Sequence, residues 1–304
     1  MKAQRQAIDG VLLLNKPVGI TSNAALQKAK WLLNAKKAGH TGTLDPFADG
    51  LLPLCFGEAT KFSAYLLESD KRYRAVLKLG ETTATGDPEG EILATREVHA
   101  TRAEIEAVLP RFTGEIEQIP PMHSALKHQG RPLYEYARAG IEIDRPPRQV
   151  TIRSLQLIEC APPRVVLDVQ CSAGTYIRTL AQDIGAALDC GAHLTALTRT
   201  AAGGFVLDNA LTLPELEALA PEARGARLQP ADCLVGHLPA LALDNSEALA
   251  LCQGRSISRP APPGLLRVYA PGEAFLGLAE ALDGQIVPRR LVATGKLESA
   301  AASA

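Results

Sequence analysis

Long hydrophobic runs, paired cysteines and a strong excess of one charge are all missing from this chain of 304 residues. The apolar run at residues 11–14 is too short for a signal-peptide core or a membrane span, which predicts a cytoplasmic protein without a membrane partner. The six cysteines include no Cys-x-x-Cys pair, so neither a zinc site nor a disulfide framework is indicated, and no metal or cofactor is expected. A net charge of -1 argues against indiscriminate electrostatic binding to nucleic acid.

The charges are unevenly distributed along the chain. Residues 1–80 carry twelve Lys/Arg against six Asp/Glu, whereas residues 81–110 carry seven acidic residues against two arginines. This distribution is compatible with a basic face that binds RNA, although a run of charge is more often a solvated surface.

Hydrophobic patterns predict an α+β fold. Apolar residues at every second position predict half-buried strands at residues 74–79 and 165–171. Residues 81–94 predict an antiparallel hairpin around the turn at residues 86–90. Because strands and helices follow one another without a regular βαβ rhythm, we expect a mixed, largely antiparallel sheet flanked by helices.

Helix starts are marked by short polar side chains. Capping boxes begin at Thr101 and Thr212, where a glutamate three residues later can bond back to the cap. Ser22 is expected to cap a third helix that runs to Lys37 and is ended by Gly39.

The chain length and a change of composition near residue 236 predict two domains and a tail. The larger domain is expected at residues 8–236. Within it, residues 118–150 are rich in Pro, Arg and Tyr and predict an excursion from the sheet, a mobile loop that closes on a partner. Residues 237–296 predict one short helix and three strands joined by tight turns, which fits a small β-barrel, and residues 297–304 predict a flexible tail.

Residues 39–50 contain three glycines and two aspartates, and we expect them to form a loop that approaches a ligand closely. Pro46 disfavours helical geometry at Asp45, so the Asp45 carboxylate is expected on a turn. From these residues alone, the carboxylate serves either in chemistry or only in an Asx turn that stabilises its own loop.

Residues 171–180 predict a strand that passes through a Gly-Thr turn into a helix capped by Thr175. Arg178 then falls in the first helical turn, where the helix macrodipole disfavours a cation by up to about 1 kcal/mol. An anionic partner for Arg178 is therefore expected, unless its guanidinium simply lies in water.

Six motifs occur in order along nearly the whole chain. They read Asn-Lys-Pro-Val-Gly-Ile-Thr-Ser at residues 15–22, Gly-His-Thr-Gly-Thr-Leu-Asp-Pro at 39–46, Phe-Gly-Glu-Ala-Thr-Lys-Phe at 56–62, Asp-Lys-Arg-Tyr-Arg at 70–74, Gln-Ile-Pro-Pro-Met at 118–122 and Gly-Thr-Tyr-Ile-Arg-Thr at 174–179. In these motifs the chain resembles bacterial tRNA pseudouridine-55 synthases of the TruB family. The resemblance implies the pseudouridine synthase fold for the larger domain and a PUA-like RNA-binding barrel for the smaller one.

The resemblance also implies an activity and the residues that perform it. Such an enzyme isomerises uridine 55 in the T loop of tRNA to pseudouridine by flipping the base, cleaving its glycosidic bond and rejoining it through C5. The match assigns Asp45 as the essential carboxylate, Arg178 as its partner, and Tyr73 as the tyrosine that lies against the base and helps to remove the C5 proton. Tyr176 and Leu197 match substrate-contact positions. Addition of Asp45 to the sugar carbon and elimination to a glycal-like intermediate both stay open.

The remaining assignments concern RNA binding. His40 matches a histidine that inserts into the T loop and supports the flipped nucleotide, and Lys16 is expected to support the active-site loop or to bind backbone phosphates. Residues 118–150 are expected to bind RNA, and a basic surface near Lys71 and Arg72 is expected to contribute. The implied partner is the T stem-loop of tRNA. The resemblance implies no protein partner, and a monomer is expected.

Two alternatives come from other classes of function. An RNA chaperone would open and refold the T-loop elbow of tRNA, with catalysis secondary. A base glycosylase would use Asp45 and Asp49 to activate water and would release free uracil. Isomerisation instead needs one carboxylate in a dry pocket, and the resemblance gives Asp49 no catalytic role, which favours the isomerase.

Overall fold

Two β-sheets form the framework of the chain in the computed structural model, which describes residues 4–293. The strands are β1 (Gly10–Lys16), β2 (Ala38–His40), β3 (Asp49–Phe56), β4 (Lys71–Leu79), β5 (Glu81–Thr83), β6 (Ile92–Thr95), β7 (Gly114–Gln118), β8 (Lys127–His128), β9 (Arg131–Pro132), β10 (Arg148–Ala161), β11 (Arg164–Cys171), β12 (Ala192–Ala202), β13 (Phe205–Val206), β14 (Leu211–Thr212), β15 (Ala240–Ala242), β16 (Ile257–Ser258), β17 (Gly264–Ala270), β18 (Ala274–Leu282) and β19 (Gln285–Leu291). The α-helices are α1 (Ser22–Leu32), α2 (Ser63–Leu67), α3 (Arg102–Val108), α4 (Leu133–Arg138), α5 (Ile177–Ala187), α6 (Leu213–Ala218) and α7 (Asn245–Cys252).

The larger sheet has ten strands, in the order β14-β1-β3-β12-β4-β11-β10-β7, with β13 paired to β12 and β2 paired to β3. Neighbouring strands run antiparallel except in the β1–β14 and β3–β12 pairs, which are parallel. The predicted α+β fold, with a mixed and largely antiparallel sheet flanked by helices, is confirmed.

The core lies between the centre of this sheet and the helices that cover it. Strand β4 buries Ala75, Leu77 and Leu79, and helix α5 buries Leu180 and Ile184 where it packs on β12 and β4. Full burial of one leucine side chain contributes about 1.5–3 kcal/mol, so these contacts hold α5 firmly on the sheet. This packing fixes the position of α5 against β4 and β12.

The locally encoded elements formed as predicted. Both capping boxes are present, at Thr101 before α3 and at Thr212 before α6. The predicted hairpin is formed by β5 and β6, which pair only with each other. In each case the side chains that define the element lie within a few residues of one another, so the sequence contains the whole motif.

The prediction for α1 was wrong at both ends. Thr21 is the cap instead of Ser22, because the Ser22 hydroxyl is buried and bonds the backbone N–H and C=O of Leu44. The helix also ends before Lys37, because Asn34 adopts a left-handed φ of 49°, which helical geometry does not allow.

Residues 119–147 form an excursion between β7 and β10, which are neighbours in the sheet. The excursion contains the short β8–β9 ladder and helix α4. Its two ends leave and re-enter the sheet side by side, so the segment projects from the sheet without interrupting it. Its mobility and its binding of RNA stay predictions.

The smaller sheet has five strands, in the order β15-β17-β18-β19-β16, and is covered by α7. It is attached to the larger unit by a tilted aromatic contact between Phe62 and Phe275, with ring centroids 5.3 Å apart, and by a hydrogen bond of 2.9 Å from Lys61 Nζ to Leu291 C=O. The last residues expected in the second domain, 294–296, and the expected tail at 297–304 lie outside the described residues. Within residues 4–293, no helix has both the length and the apolar character needed to cross a membrane.

Candidate active site

A cavity of about 360 Å³ opens where the loop before β3 meets the first turn of α5. Its walls also include side chains of β4 and β12 and the base of the 119–147 excursion. The cavity brings together five of the seven side chains assigned from the sequence: Asp45, Tyr73, Tyr176, Arg178 and Leu197.

Asp45 and Arg178 form an ion pair, with Arg178 Nε 3.0 Å from Asp45 Oδ2. The Asp45 side chain is 35% exposed, whereas that of Arg178 is 5% exposed. Both side chains line the cavity, and Asp45 is the more accessible member of the pair. The anion expected beside the first turn of α5 is this carboxylate.

The loop that carries Asp45 is fixed by contacts to two other segments. Ser22 Oγ accepts a hydrogen bond of 2.8 Å from the N–H of Leu44, and Gly19 N–H donates to the C=O of Pro46 at 2.8 Å. Because the residues on both sides of Asp45 are held in this way, the carboxylate projects from a rigid turn.

Arg178 has three further partners. Its Nη1 lies 3.5 Å from Asp87 Oδ2 and donates to Thr85 C=O at 3.1 Å, and its Nη2 donates to His123 C=O at 2.7 Å. The Asp87 side chain is 4% exposed and comes from the turn of the β5–β6 hairpin. The guanidinium is therefore held on four sides, by two carboxylates and two carbonyl oxygens.

Asp87 was not among the residues assigned from the sequence. Its turn reaches the site because Leu194 N–H donates to Gly86 C=O at 3.0 Å and because Gly86 lies against the side chain of Gln182 on α5. Asp87 Oδ1 also accepts from Glu89 N–H at 3.0 Å. The sequence shows an acidic residue in a hairpin turn, but nothing local indicates that this turn packs on α5.

The electrostatic state of Asp45 reflects opposing influences. Burial raises the pKa of the Asp45 carboxyl above its ordinary value, the charge of Arg178 lowers it, and the charge of Asp87 raises it. Burial is the largest of these influences. Arg178 thus favours the ionised form of a carboxylate that its surroundings otherwise make more basic.

Tyr73 and Leu197 stand on the neighbouring strands β4 and β12 at the cavity wall. Leu197 is 7% exposed and is paired with Ala75, whereas Tyr73 is half-buried and is paired with Arg199. Burial raises the pKa of the Tyr73 hydroxyl above its ordinary value, and the charge of Arg199 lowers it. The two strands present an aromatic ring and an aliphatic side chain, which suit a flat base.

Tyr176 immediately precedes α5 and is held through its backbone by Gln118. Gln118 Oε1 accepts from Tyr176 N–H at 3.0 Å, and Gln118 Nε2 donates to Tyr176 C=O at 3.3 Å. The prediction that Thr175 caps α5 was wrong, because its hydroxyl donates to Ser172 C=O at 3.0 Å. Gln118 was missed because it lies far from α5 in sequence.

Lys16 and His40 are not among the side chains that line the cavity. Lys16 is 0% exposed, and its ammonium donates to the C=O groups of Pro17 and Ile20, each at 2.8 Å. Burial lowers the pKa of Lys16 to about 8. A fully buried ammonium does not reach RNA phosphates, so of its two expected roles the contacts favour support of the loop. His40 is half-buried on β2, and burial lowers its pKa, with the charge of Arg199 acting in the same direction.

The basic surface expected near Lys71 and Arg72 does not include the Lys71 ammonium. Lys71 is 7% exposed, its ammonium donates to Leu66 C=O at 3.1 Å, and burial lowers its pKa to about 8. Arg72 forms an ion pair of 2.7 Å with Asp168. The expectation was wrong for Lys71 because its charge is buried, whereas a contribution of the exposed Arg72 to RNA binding stays a prediction.

The fold is similar to that of solved structures. A chain in the "Crystal Structure of a Cbf5-Nop10-Gar1 Complex" is 27% identical with a TM-score of 0.71, and the match covers 93% of this chain and 85% of that chain. A chain in the "Structure of H/ACA RNP bound to a substrate RNA containing 2'-deoxyuridine" is 24% identical with a TM-score of 0.71 and the same coverage. At this lower identity the likeness shows the fold alone.

Curated relatives match over almost their entire length. A protein named tRNA pseudouridine synthase B from Thiobacillus denitrificans is 74% identical over 295 residues, which are 97% of this chain and 99% of the relative. Proteins of the same name from Azoarcus sp. and Burkholderia mallei are 56% and 55% identical, each over 96% of this chain and at least 98% of the relative.

Family patterns match in three consecutive parts. The pattern described as TruB family pseudouridylate synthase (N terminal domain) matches residues 30–177, that of the tRNA pseudouridylate synthase B C-terminal domain matches 178–235, and that of pseudouridine synthase II TruB, C-terminal, matches 239–292. Together with the fold and the cavity around Asp45, these matches define a pseudouridine synthase, an isomerase. The chain belongs to the TruB family, as the sequence motifs predicted.

Proposed function

We propose that this TruB-family chain converts uridine 55 in the T loop of tRNA to pseudouridine, with Asp45 as the catalytic carboxylate. The observation that carries the proposal is the 3.0 Å Asp45–Arg178 ion pair in a cavity also lined by Tyr73, Tyr176 and Leu197. The relatives named tRNA pseudouridine synthase B support both the reaction and the class of RNA.

The chemistry needs one ionised carboxylate. The bond from N1 of uracil to C1′ of ribose breaks, the detached base turns, and a bond forms from C5 to C1′. Asp45 either adds to C1′ or accepts a proton from the sugar on the way to a glycal, and Arg178 keeps it ionised and oriented in both cases. Because no water takes part, no second carboxylate is required to activate it.

The cavity walls hold the base while it is detached. Tyr73, Tyr176 and Leu197 supply flat and apolar surfaces that contact uracil and exclude water, which protects the activated sugar from hydrolysis. After the C5–C1′ bond has formed, Tyr73 takes part in removing the proton from C5. Throughout these steps the base stays inside the cavity, so free uracil is not a product.

Recognition of RNA involves surfaces beyond the cavity. The target base must leave its stack, which costs a few kcal/mol, roughly. Contacts of the protein with the extruded nucleotide and with the RNA backbone offset this cost. Residues 118–150 carry five Lys/Arg against three Asp/Glu, which supports contact of this segment with phosphates. His40 supports the flipped nucleotide, and the PUA-like sheet contacts tRNA further from the target. The enzyme acts as a monomer on the T stem-loop in the cytoplasm.

The Asp45→Asn variant tests the catalytic assignment. Replacement removes the negative charge while keeping the shape, so pseudouridine formation in a tRNA transcript should fall to background, with tRNA affinity within about tenfold of that of the wild type. Release of tritium from uridine labelled at C5 measures the reaction, and filter binding measures the affinity. An Asp45→Asn protein that turns over normally contradicts the assignment.

Asp168→Asn is the matched control, because Asp168 also pairs with an arginine at 2.7 Å but lies outside the cavity. It should retain wild-type activity. The substrate is tested separately by chemical mapping of pseudouridine in tRNA from cells with and without this protein. If pseudouridine persists at the T loop in cells without this protein, the proposed substrate is contradicted. If the Asp45→Asn variant loses its assistance to tRNA folding together with its activity, a separate chaperone role is contradicted.

A further inference from the structure

Arg199 on β12 lines the cavity although it is only 1% exposed. Its Nε donates to Leu51 C=O at 2.7 Å, and its Nη2 donates to Gly42 C=O at 3.2 Å. Gly42 and Leu51 stand on opposite sides of Asp45 in the sequence. One side chain of β12 therefore ties both ends of the Asp45 loop to the central strand of the sheet.

The same strand faces Tyr73. Arg199 is paired with Tyr73 of β4 on one side and with Gly50 of β3 on the other. Side chains of directly paired residues share one face of a sheet, with Cβ atoms about 4.5–5.5 Å apart. Gly50 permits close approach of the strands, since a Cβ there would lie 2.4 Å from the carbonyl oxygen of Arg199. Arg199 thus stands between the Asp45 loop and Tyr73.

The positive charge of Arg199 acts on the whole neighbourhood of the cavity. Within residues 4–293, no carboxylate lies within 4.0 Å of its guanidinium, which bonds neutral carbonyl groups instead. Burial raises the pKa of Tyr73 and lowers those of His40, Lys16 and Lys71, and the charge of Arg199 acts in the lowering direction on all four. Arg199, which has no carboxylate close by among the described residues, therefore stands at the strand position paired with Tyr73, the group proposed to handle the C5 proton.

We propose that Arg199 is a positioning residue for proton transfer at C5, in which it orients Tyr73 and stabilises the negative charge on the Tyr73 oxygen. The inference rests on the proposed function. In the first half of the reaction Tyr73 gives its hydroxyl proton to the detached base, which ends with hydrogen on N1. After the C5–C1′ bond forms, the C5–H bond breaks, its electron pair restores the C5=C6 double bond, and the proton passes to the Tyr73 oxygen.

Three groups on neighbouring elements influence the charge state of Tyr73: Arg199 from β12, Cys171 from β11 and Asp45 from its loop. Of these, Arg199 is the one suited to this task. Burial disfavours a negative charge on the tyrosine, and Cys171 and Asp45 act in the same direction, whereas the charge of Arg199 favours it.

The test compares Arg199→Gln with the wild type on T-loop RNA that contains uridine, uridine deuterated at C5, or 5-fluorouridine. The last of these has no C5 proton to lose, so only cleavage and rejoining are measured. We expect Arg199→Gln to slow single-turnover conversion of uridine by about tenfold or more. It should slow 5-fluorouridine rejoining less, and it should show a deuterium isotope effect that the wild type lacks.

Arg224→Gln is a matched control. Arg224 also donates to backbone carbonyl groups, among them those of Leu32 and Leu216, but it does not line the cavity. Its replacement should lower the melting temperature and leave the ratio of the two rates unchanged. If Arg199→Gln fails to fold, Arg199→Lys is measured instead, because lysine keeps the charge but lacks the several N–H donors of the guanidinium. Its ratio of uridine rate to 5-fluorouridine rate should lie between that of the wild type and that expected for a site without the charge.

If Arg199→Gln slows the reactions of uridine and 5-fluorouridine equally and shows no isotope effect, Arg199 only holds the Asp45 loop in place. This result would overturn the inference. Unchanged rates in folded Arg199→Gln, or an unchanged ratio in Arg199→Lys where Arg199→Gln does not fold, overturn it as well. A wild-type protein without activity on T-loop RNA is a different result, because it contradicts the proposed function itself.

Discussion

Arg178 and Asp87 face each other at 3.5 Å with both side chains almost completely buried, behind the carboxylate proposed for catalysis. Burial raises the pKa of Asp45, and the charge of Asp87 raises it further, which opposes ionisation of the proposed catalytic carboxylate. Asp87 compensates for this effect by holding Nη1 of the Arg178 guanidinium, while Nε of the same group pairs with Asp45. Asp87 therefore positions the guanidinium, and the guanidinium positions Asp45.

Asp87→Asn should reduce catalysis while leaving RNA binding intact. The substitution removes one charge of a buried ion pair, which leaves Arg178 less firmly positioned, so a rate loss of about 10- to 100-fold is expected. Single-turnover kinetics and filter binding measure the two effects. Glu89→Gln, an exposed carboxylate in the same turn, is the control and should behave as the wild type. A wild-type rate in Asp87→Asn would mean that the two carbonyl contacts suffice to hold Arg178.

Arg178→Gln should shift the pH dependence of the reaction. The proposed mechanism requires ionised Asp45, so the rate should fall as pH drops through the pKa of that carboxyl. Arg178 lowers this pKa, and its removal leaves burial and Asp87 to raise it. The acid limb of the pH–rate profile should therefore move to higher pH, and the rate at neutral pH should fall. An acid limb at the wild-type position would show that Arg178 does not control the ionisation of Asp45.

Lys16→Met should change how stability depends on pH. Burial lowers the pKa of Lys16 to about 8 in the folded chain, against 10.5 for the ordinary side chain. Between these values the unfolded chain binds more protons, so the contribution of Lys16 to stability rises with pH, by at most about 3 kcal/mol. Urea unfolding at pH 7.5, 8.5 and 9.5 should show the wild type gaining on Lys16→Met at each step. A constant difference would mean that the ammonium is not desolvated.

Gly50→Ala and Gly174→Ala should separate backbone strain from steric clash. Both glycines have positive φ, 101° and 83°, but a Cβ at Gly174 meets no atom within 4 Å, whereas one at Gly50 would lie 2.4 Å from the Arg199 carbonyl oxygen. Gly174→Ala is expected to cost about 1–2 kcal/mol from conformation alone, and Gly50→Ala about 2–5 kcal/mol because overpacking is added. Denaturant unfolding measures both, and equal losses would contradict the close approach of β3 to β12.

The features that were predictable from the sequence are those encoded by neighbouring residues. The Thr101 and Thr212 capping boxes, the β5–β6 hairpin and the alternation along β4 each lie within one short segment. Placing the cap of α1 at Ser22 failed by one residue, since a tertiary contact with Leu44 takes the Ser22 hydroxyl away from the helix end. Local patterns do not record such contacts.

The residues of the candidate site also fall into two groups, those that the sequence indicated and those that only tertiary packing brings to the site. Asp45 and Arg178 were assigned because their motifs resemble those of the family. Gln118 begins one of the six motifs but was given no role in the site, whereas Asp87 and Arg199 lie outside these motifs. They reach the site through strand order and the packing of a turn on α5, which depend on residues far apart in the chain. Burial also decided the outcome for Lys71, whose charge alone suggested an RNA contact.

The enclosure of Arg178 on four sides has a consequence for the barrier of the reaction. In water, dipoles around a carboxylate must reorient as its charge is shared with a new bond, and this reorganisation is a main part of the activation free energy. Around Asp45 the opposing charge is already locked in place by Asp87, Thr85 and His123 before RNA arrives. The charges and dipoles around Asp45 are therefore already oriented when the chain folds, so they do not have to reorient during the reaction as water would.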